Sequence, residues 1–331
     1  MQWKQTATYI LQKFHPTGFV ILVFVILAAG CANQASITAR ISPAEPSPGI
    51  IFTSDRTGNW DIFLIQADGS GLRQLTDDPQ VDADPDWSPD GRLIAFRSRR
   101  DGSSDIFVMG SDGSAPVNLI NDPESSFDDE FAPRWNPDGE TFSLYTDRYP
   151  PRMANCLGGY HQIAILRRQQ NRYWVDLFET VAGEQYSSSW SPDGRYLVFN
   201  SNCRGPAFQL YLYDTQTGET KQITTWEGGS FGQPAWSHDG KFLAYAANVN
   251  GNLDIYIQDI NNHKRIRLTD HPADDNMPTW SPDDKEIAFV SYRDGNDEIY
   301  ILRLKDQHLT NITQHPADDW YPSWSPISKK P

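Results

Sequence analysis

From residue 49 onward the chain alternates short apolar runs with clusters of turn residues, and no segment of useful length carries a helical period. One stretch gives the grammar. Trp87 ends a short strand, and Pro89-Asp90-Gly91 turns the chain: Pro presets φ, Asp caps the backbone and Gly tolerates positive φ. Leu93-Ile94-Ala95-Phe96 reads as an apolar second strand, followed by the hairpin loop Arg100-Asp101-Gly102-Ser103-Ser104. Asp105-Ile106-Phe107-Val108-Met109 is a third strand. After the turn Ser111-Asp112-Gly113-Ser114, Val117-Asn118-Leu119-Ile120 is a fourth. The same series occupies 51–76, 142–178, 197–224, 243–269 and 287–313. A different apolar run, residues 18–30, follows a segment with Lys4 and Lys13 and no acid. At about 13 residues it is shorter than the roughly 20 a spanning helix needs, and it reads as the core of a secretion signal.

The turn that opens each series repeats. It occurs at Trp87-Ser88-Pro89-Asp90-Gly91, Trp135-Asn136-Pro137-Asp138-Gly139, Trp190-Ser191-Pro192-Asp193-Gly194, Trp236-Ser237-His238-Asp239-Gly240, Trp280-Ser281-Pro282-Asp283-Asp284 and Trp324-Ser325-Pro326. The tryptophans are 48, 55, 46, 44 and 44 residues apart. A period in the forties with four strands per unit predicts an all-β, six-bladed β-propeller. The first series lacks a Trp-Ser-Pro strand and begins at Ile50-Ile51-Phe52, while nothing follows the last one near Trp324. The C-terminal strand, around Tyr321–Trp324, is therefore expected to complete the first blade and close the ring, removing the exposed edges of an open stack.

These motifs, continued by Ile287-Ala288-Phe289, Ser291, Arg293, Gly295 and Glu298-Ile299-Tyr300, then by Leu-Thr and His-Pro-Ala-Asp-Asp, resemble the WD40-like repeat of TolB-type propellers. The resemblance covers essentially all of 49–331 and implies the fold. Related repeats serve the periplasmic Tol system and accompany dipeptidyl-peptidase-like and tricorn-like proteases, so it leaves function open. Two departures stand out. Tol-system members carry an α/β domain before the propeller, which residues 32–48 cannot supply, and they are soluble.

The first apolar run ends in Leu27-Ala28-Ala29-Gly30-Cys31. Small residues directly before a cysteine resemble the lipobox of bacterial lipoproteins. That resemblance implies removal of residues 1–30, diacylglycerol on the Cys31 sulfur and acylation of its new amino group, giving a stable membrane anchor. Ala32 after the cysteine resembles the outer-membrane-directed type. The expected location is the cell envelope, on the periplasmic face of the outer membrane in a diderm and otherwise on the extracytoplasmic surface. Residues 31–48 then form the lipidated cysteine and a small-residue, Pro-rich flexible tether. The formal net charge of −15 argues against nucleic acid and against direct adhesion to anionic headgroups.

Function on a propeller belongs to its faces and channel. The Pro-Asp-Gly turns lie on one face; the interblade loops and the loops between second and third strands lie on the other. That second face is acidic: Asp82, Asp84 and Asp86; Asp128, Asp129 and Glu130; Asp274 and Asp275; Asp318 and Asp319. His271 and His315 fall in the same loops. One reading is a negative ring at the channel mouth that docks a basic or amide-rich partner, or holds a divalent cation in the channel. The other is that these groups cap turns and support the repeat. Asp82-x-Asp84-x-Asp86 is not a calcium loop, because Trp87 and Leu93 stand where Gly and a bidentate acid are needed. Cys156, in the insertion 149–160, and Cys203 lie in loops on one face of adjacent blades. In an oxidising compartment a Cys156–Cys203 disulfide is expected to pin the insertion; two free thiols are the alternative. Gly228-Gly229-Ser230-Phe231-Gly232 fits G-x-S-x-G but lacks the strand-to-helix setting of a nucleophile elbow. The sequence therefore predicts no catalytic residue and no cofactor. Its favoured function is a membrane-anchored binding scaffold for an envelope protein or peptidoglycan-associated partner. The alternative is a ligand- or glycan-processing enzyme using channel-mouth carboxylates and histidines.

Overall fold

The computed structural model describes residues 45, 47–120, 129–147, 161–169, 172–177, 183–202, 207–225, 229–249 and 251–326. The expected signal 1–30, Cys31, Asp128, the insertion 149–160 with Cys156, and Cys203 lie outside the described residues. The described residues form six four-stranded antiparallel sheets, one per blade. In blades 2 to 6 the innermost strands are Asp82–Trp87, Glu130–Trp135, Gln185–Trp190, Ser230–Trp236 and Asp275–Trp280. Blade 1 takes its innermost strand from the other end of the sequence: Asp319–Trp324 pairs antiparallel with Ile50–Ser54. The closure read from the sequence is thus present, and every residue of Ile50–Ser54 is buried.

The repeat motif explains itself in the packing. Each motif tryptophan packs onto the preceding blade. Trp87 joins Ile51, Ile62 and Leu64; Trp135 joins Leu93, Ala95 and Val108; Trp280 joins Ala244, Ala246 and Ile255. Trp190, Trp236 and Trp324 do the same against blades 3, 4 and 6. The core is therefore a set of interblade layers, and the aromatic repeat supplies the largest piece of each. In the turn, Ser88 Oγ donates to Asp90 Oδ1 at 2.7 Å and accepts from the Leu93 amide at 2.9 Å. Gly91 adopts φ 68°. The Asp239 turn adds an ion pair, Lys241 Nζ to Oδ2 at 2.7 Å, and that bond with the Lys241 amide and Ser237 hydroxyl holds the Asp239 carboxyl down at about 2. A depressed carboxylate adds stability above its ordinary pKa of 3.8 and loses it as pH falls towards about 2. Asp239→Asn is expected to cost about 0.5 kcal/mol at neutral pH, discounted for exposure, and nothing near pH 2; urea titrations at both pH values check this.

Two departures from the repeat meet in space. His238 replaces the usual proline of its turn, and Asp284 replaces the glycine of the next blade's turn at φ 56°. Asp284 Oδ1 accepts the His238 amide at 2.8 Å and lies 3.0 Å from His238 Nδ1, while Oδ2 accepts the Asp239 amide at 2.9 Å. This clamps blade 5 to blade 6. Asp284→Ala removes both acceptors and keeps the left-handed strain, so it is expected to cost about 2 kcal/mol. Asp284→Asn, which keeps one acceptor and tolerates positive φ, should cost less. Thermal unfolding of the two variants checks the order.

Candidate functional site: the channel and its two mouths

The acids of the interblade loops divide into two kinds. The innermost strands begin at Asp82, Glu130, Asp275 and Asp319, all buried. Both Asp319 oxygens accept from Arg56 Nη2, at 2.8 and 3.0 Å, the Ser54 and Thr313 hydroxyls also contact the carboxylate, and Arg56 Nε donates to Ser54 Oγ at 2.9 Å. The guanidinium lies 5.2 and 5.0 Å from the Phe52 and Phe63 ring centroids. Arg100 repeats this with Asp82, Ser98, Phe96 and Phe107, and Arg293 with Asp275, Ser291, Phe289 and Tyr300. Burial pushes the Asp82 and Asp319 carboxyls above their ordinary value, against the hydroxyl and arginine contacts that lower it. Asp84 is also buried, paired to Arg97 Nε at 2.8 Å. Asp82, Asp84, Glu130, Asp275 and Asp319 are therefore not surface groups, a correction to their place on the expected binding face. A carboxylate at the start of the innermost strand stands opposite the serine or threonine that precedes the arginine by two residues, and the pair closes inward.

The sequence carried the signal for this pairing. Ser54, Ser98, Thr146 and Ser291 stand two residues before Arg56, Arg100, Arg148 and Arg293, and each faces an acid. Where the acid becomes Gln185 or Ser230, the arginine position is Cys203 or Asn250. Acid and arginine are lost together. Ser230 thus occupies the acid position at the head of a strand, and its Oγ accepts the Phe208 amide at 3.3 Å.

The remaining acids sit further out. Asp274 Oδ1 accepts the Leu253 amide at 2.7 Å, Asp318 Oδ1 the Asp297 amide at 3.1 Å, and Asp129 Oδ1 the Ser104 amide at 2.8 Å. They cap the loops between second and third strands while staying exposed or half-buried. His271 Nδ1 and His315 Nδ1 accept the amides of Ala273 and Ala317, each at 3.1 Å, as turn contacts. Among the described residues no group of three or more His, Cys, Asp or Glu side chains is placed to hold a metal ion. Asp297 lies beside Asp274 and Asp318; burial first, then those two charges, push its carboxyl up. It accepts the Trp320 Nε1 proton at 2.7 Å, and Trp320 stacks on Trp60 with centroids 5.1 Å apart. Across the same mouth, His161 Nδ1 lies 3.2 Å from Glu184 Oε2, to which Tyr186 donates at 2.8 Å. Phe131, Tyr145 and Phe208 pack around them. Burial, then the Glu184 contact, raises the Tyr186 phenol to about 12. These loops thus bring acidic and aromatic side chains together.

The channel holds a second feature that the sequence reading missed. Three residues before each motif tryptophan the innermost strand bulges, and Asp84, Ala132, Ser187, Gln233, Met277 and Tyr321 all take positive φ, from 39° to 57°. A left-handed non-glycine residue costs roughly 1–2 kcal/mol, and six at one repeat position mark a built device. Proline follows five of the six, where the bulge leaves no ladder bond for it to break. Between the bulges and the Pro-Asp-Gly turns lies a chamber of about 350 Å³, walled by the six motif tryptophans. One residue before each tryptophan, Asp86, Arg134, Ser189, Ala235, Thr279 and Ser323 also line it. The sequence signal was variation in chemistry at one position of an otherwise repeating strand.

The TolB beta propeller domain family matches residues 30–148 and 233–330. The unmatched stretch contains Gln185, Cys203 and Ser230, positions where the acid–arginine pair is lost. Among curated proteins, the chain is 39% identical over 69 residues to the uncharacterized peptidase YuxL of Bacillus subtilis (strain 168), covering 20% of this chain and 10% of that protein. It is 30% identical over 113 residues to the Tol-Pal system protein TolB of Francisella tularensis subsp. mediasiatica (strain FSC147), covering 34% and 23%. The match thus spans less than a quarter of either relative. Among solved structures, TolB from Acinetobacter baumannii superposes with a TM-score of 0.68 at 20% identity, over 88% of this chain and 70% of that one. The family match covers more than half of the sequence and falls on a closed ring of Trp-Ser-Pro blades, so the chain belongs to the TolB beta propeller domain family.

Proposed function

We propose that this protein is a cell-envelope lipoprotein, anchored through Cys31, whose propeller binds a protein partner at the interblade-loop mouth. The observation that carries the reading is the junction of Asp274, Asp297 and Asp318 with the half-exposed Trp60–Trp320 stack. Tryptophan with unscreened carboxylate suits a partner segment that presents lysine or arginine next to apolar side chains. The family supports a scaffold: the relative from Francisella is named for the Tol-Pal system, and an envelope or peptidoglycan-associated protein is the partner class proposed here. The reading is of a binding protein rather than an enzyme, with Ser230 committed to a strand end.

Two measurements test it. Metabolic labelling with a fatty acid should label the native protein and not Cys31→Ser, and the variant should leave the membrane fraction. Envelope extract of the source organism passed over the immobilised propeller should yield a partner that Asp129→Asn, Asp274→Asn and Asp318→Asn together release. Asparagine keeps an acceptor for each capped amide, so the loops stay closed while the charge is lost. Equal retention by both forms would remove this face from the account. Asp275 and Asp319 are left intact, since they hold the blades.

A further inference from the structure

The chamber on the turn side of the channel has a chemical polarity of its own. Four of the side-chain acceptors on its lining are engaged within the protein. Asp86 Oδ2 accepts the Trp135 amide at 2.9 Å and Oδ1 accepts Ser323 Oγ at 3.1 Å. Ser189 Oγ accepts the Trp236 amide at 3.2 Å, Thr279 Oγ1 the Trp324 amide at 3.4 Å, and Gln233 Oε1 the Met277 amide at 3.1 Å. Each of these bonds runs from one innermost strand to the next, and at three of the six positions before the tryptophan, Asp86, Ser189 and Thr279, the side chain is an acceptor that staples neighbouring blades.

Arg134, at the same position of blade 3, is the one cation among the six. A guanidinium has no acceptor to offer, and its only hydrogen bond in the described structure is from Nη1 to the Pro133 carbonyl at 2.8 Å. Among the described residues no carboxylate oxygen lies within 4.0 Å of it. The carboxylate that feels its charge is Asp86, across the same chamber, whose two oxygens are engaged by the Trp135 amide and Ser323 Oγ. Among the described residues, donors of the chamber with no protein acceptor are the other Arg134 N–H groups, the Gln233 amide NH₂, and the Ser189 and Thr279 hydroxyl protons. They converge within one cavity whose walls are indole rings and prolines.

The geometry points to a carboxylate-binding site in this chamber: Arg134 anchors the carboxylate, the neighbouring hydroxyls and amide complete its hydrogen bonds, and the tryptophans enclose an apolar body. The planar guanidinium fork matches a carboxylate in two-point geometry, and about 350 Å³ accommodates a small organic acid or the end of a peptide. This site lies on the face opposite the proposed protein-binding mouth and is independent of that reading.

The six tryptophans that line the chamber provide the test. The folded protein is titrated with benzoate and with benzamide, its uncharged counterpart, and with acetyl-Ala-Phe as free acid and as amide, following tryptophan emission and heat. The free acids should bind saturably, and at least about tenfold more tightly than their amides. The stronger of the two acids tells whether a free small acid or a chain end is the natural form. Arg134→Gln should weaken the preferred acid about tenfold or more with its far-ultraviolet spectrum unchanged, and Arg134→Lys should restore part of the loss. No saturable response to any of the four probes, equal binding of acid and amide, or acid binding unaltered in Arg134→Gln would overturn the assignment. If Arg134→Gln fails to fold, the comparison of acid with amide and the Lys variant still decide it.

Discussion

Asp319→Ala is expected to destabilise the protein by about 3–5 kcal/mol, although the residue is exposed to no solvent and touches no proposed ligand. The reason is the charge it leaves behind. Arg56 keeps its guanidinium between Phe52 and Phe63 with side-chain exposure of 7%, and without Asp319 only Ser54 Oγ remains to accept from it. A single domain is typically stable by about 5–15 kcal/mol, so the variant should lose a large share of its margin. The double replacement Asp319→Ser with Arg56→Asn should recover much of the loss, because a buried pair repays little of its own desolvation and the unpaired charge is what costs. That combination already stands at 230 and 250 of this chain. Urea unfolding followed by tryptophan emission measures both. Were the double variant as unstable as the single one, the burial of an unpaired arginine would not be the cause.

A larger effect is expected from ending the chain at Asp318. Removal of the strand Asp319–Trp324 uncovers Ile50–Ser54, whose five residues are buried, and leaves Trp324 absent from the layer it shares with Ala288, Ile299 and Ile301. The uncovered strand becomes a long, flat, apolar edge, and the truncated chain should aggregate or melt without a cooperative transition. A circular permutant that carries 319–326 ahead of Gly49 through a short linker should restore the transition, because the ring needs the strand and not its place in the sequence. Calorimetry and size-exclusion chromatography distinguish the outcomes. A truncated form that still melted cooperatively would mean that five complete blades suffice.

The fold was legible because its repeat is written in turn chemistry. Ser88, Asp90 and Gly91 each have a local bonding reason to be there, and Trp87 has a packing one. The closing strand was legible for a similar reason: a Trp-Ser-Pro unit without a sequel and a first series without a beginning fit each other. The site was less legible. Repetition around a ring gathers the interblade acids in space, but sequence position does not say whether a carboxylate faces water or an arginine. Asp319 and Asp318 are neighbours, yet one is sealed against Arg56 and the other caps the Asp297 amide at the rim. The matching losses at Gln185 with Cys203 and at Ser230 with Asn250 encode the distinction. Arg134 went unnoticed because its neighbours Asp86, Ser189 and Thr279 act as acceptors through bonds that form only between blades. The His238–Asp284 clamp is likewise two unrelated departures until the blades are side by side.

The claim that a partner docks on the interblade-loop mouth is tested most directly by photocrosslinking in the source cells. One photoreactive residue is placed at Pro316, exposed next to Asp318, and in a second strain at Glu140, exposed in a turn on the opposite face. Docking at this mouth should give a protein adduct from position 316 that disappears when Asp129, Asp274 and Asp318 are replaced by Asn, and none from position 140. An adduct from position 140 alone, or one from 316 that survives the three replacements, would contradict it.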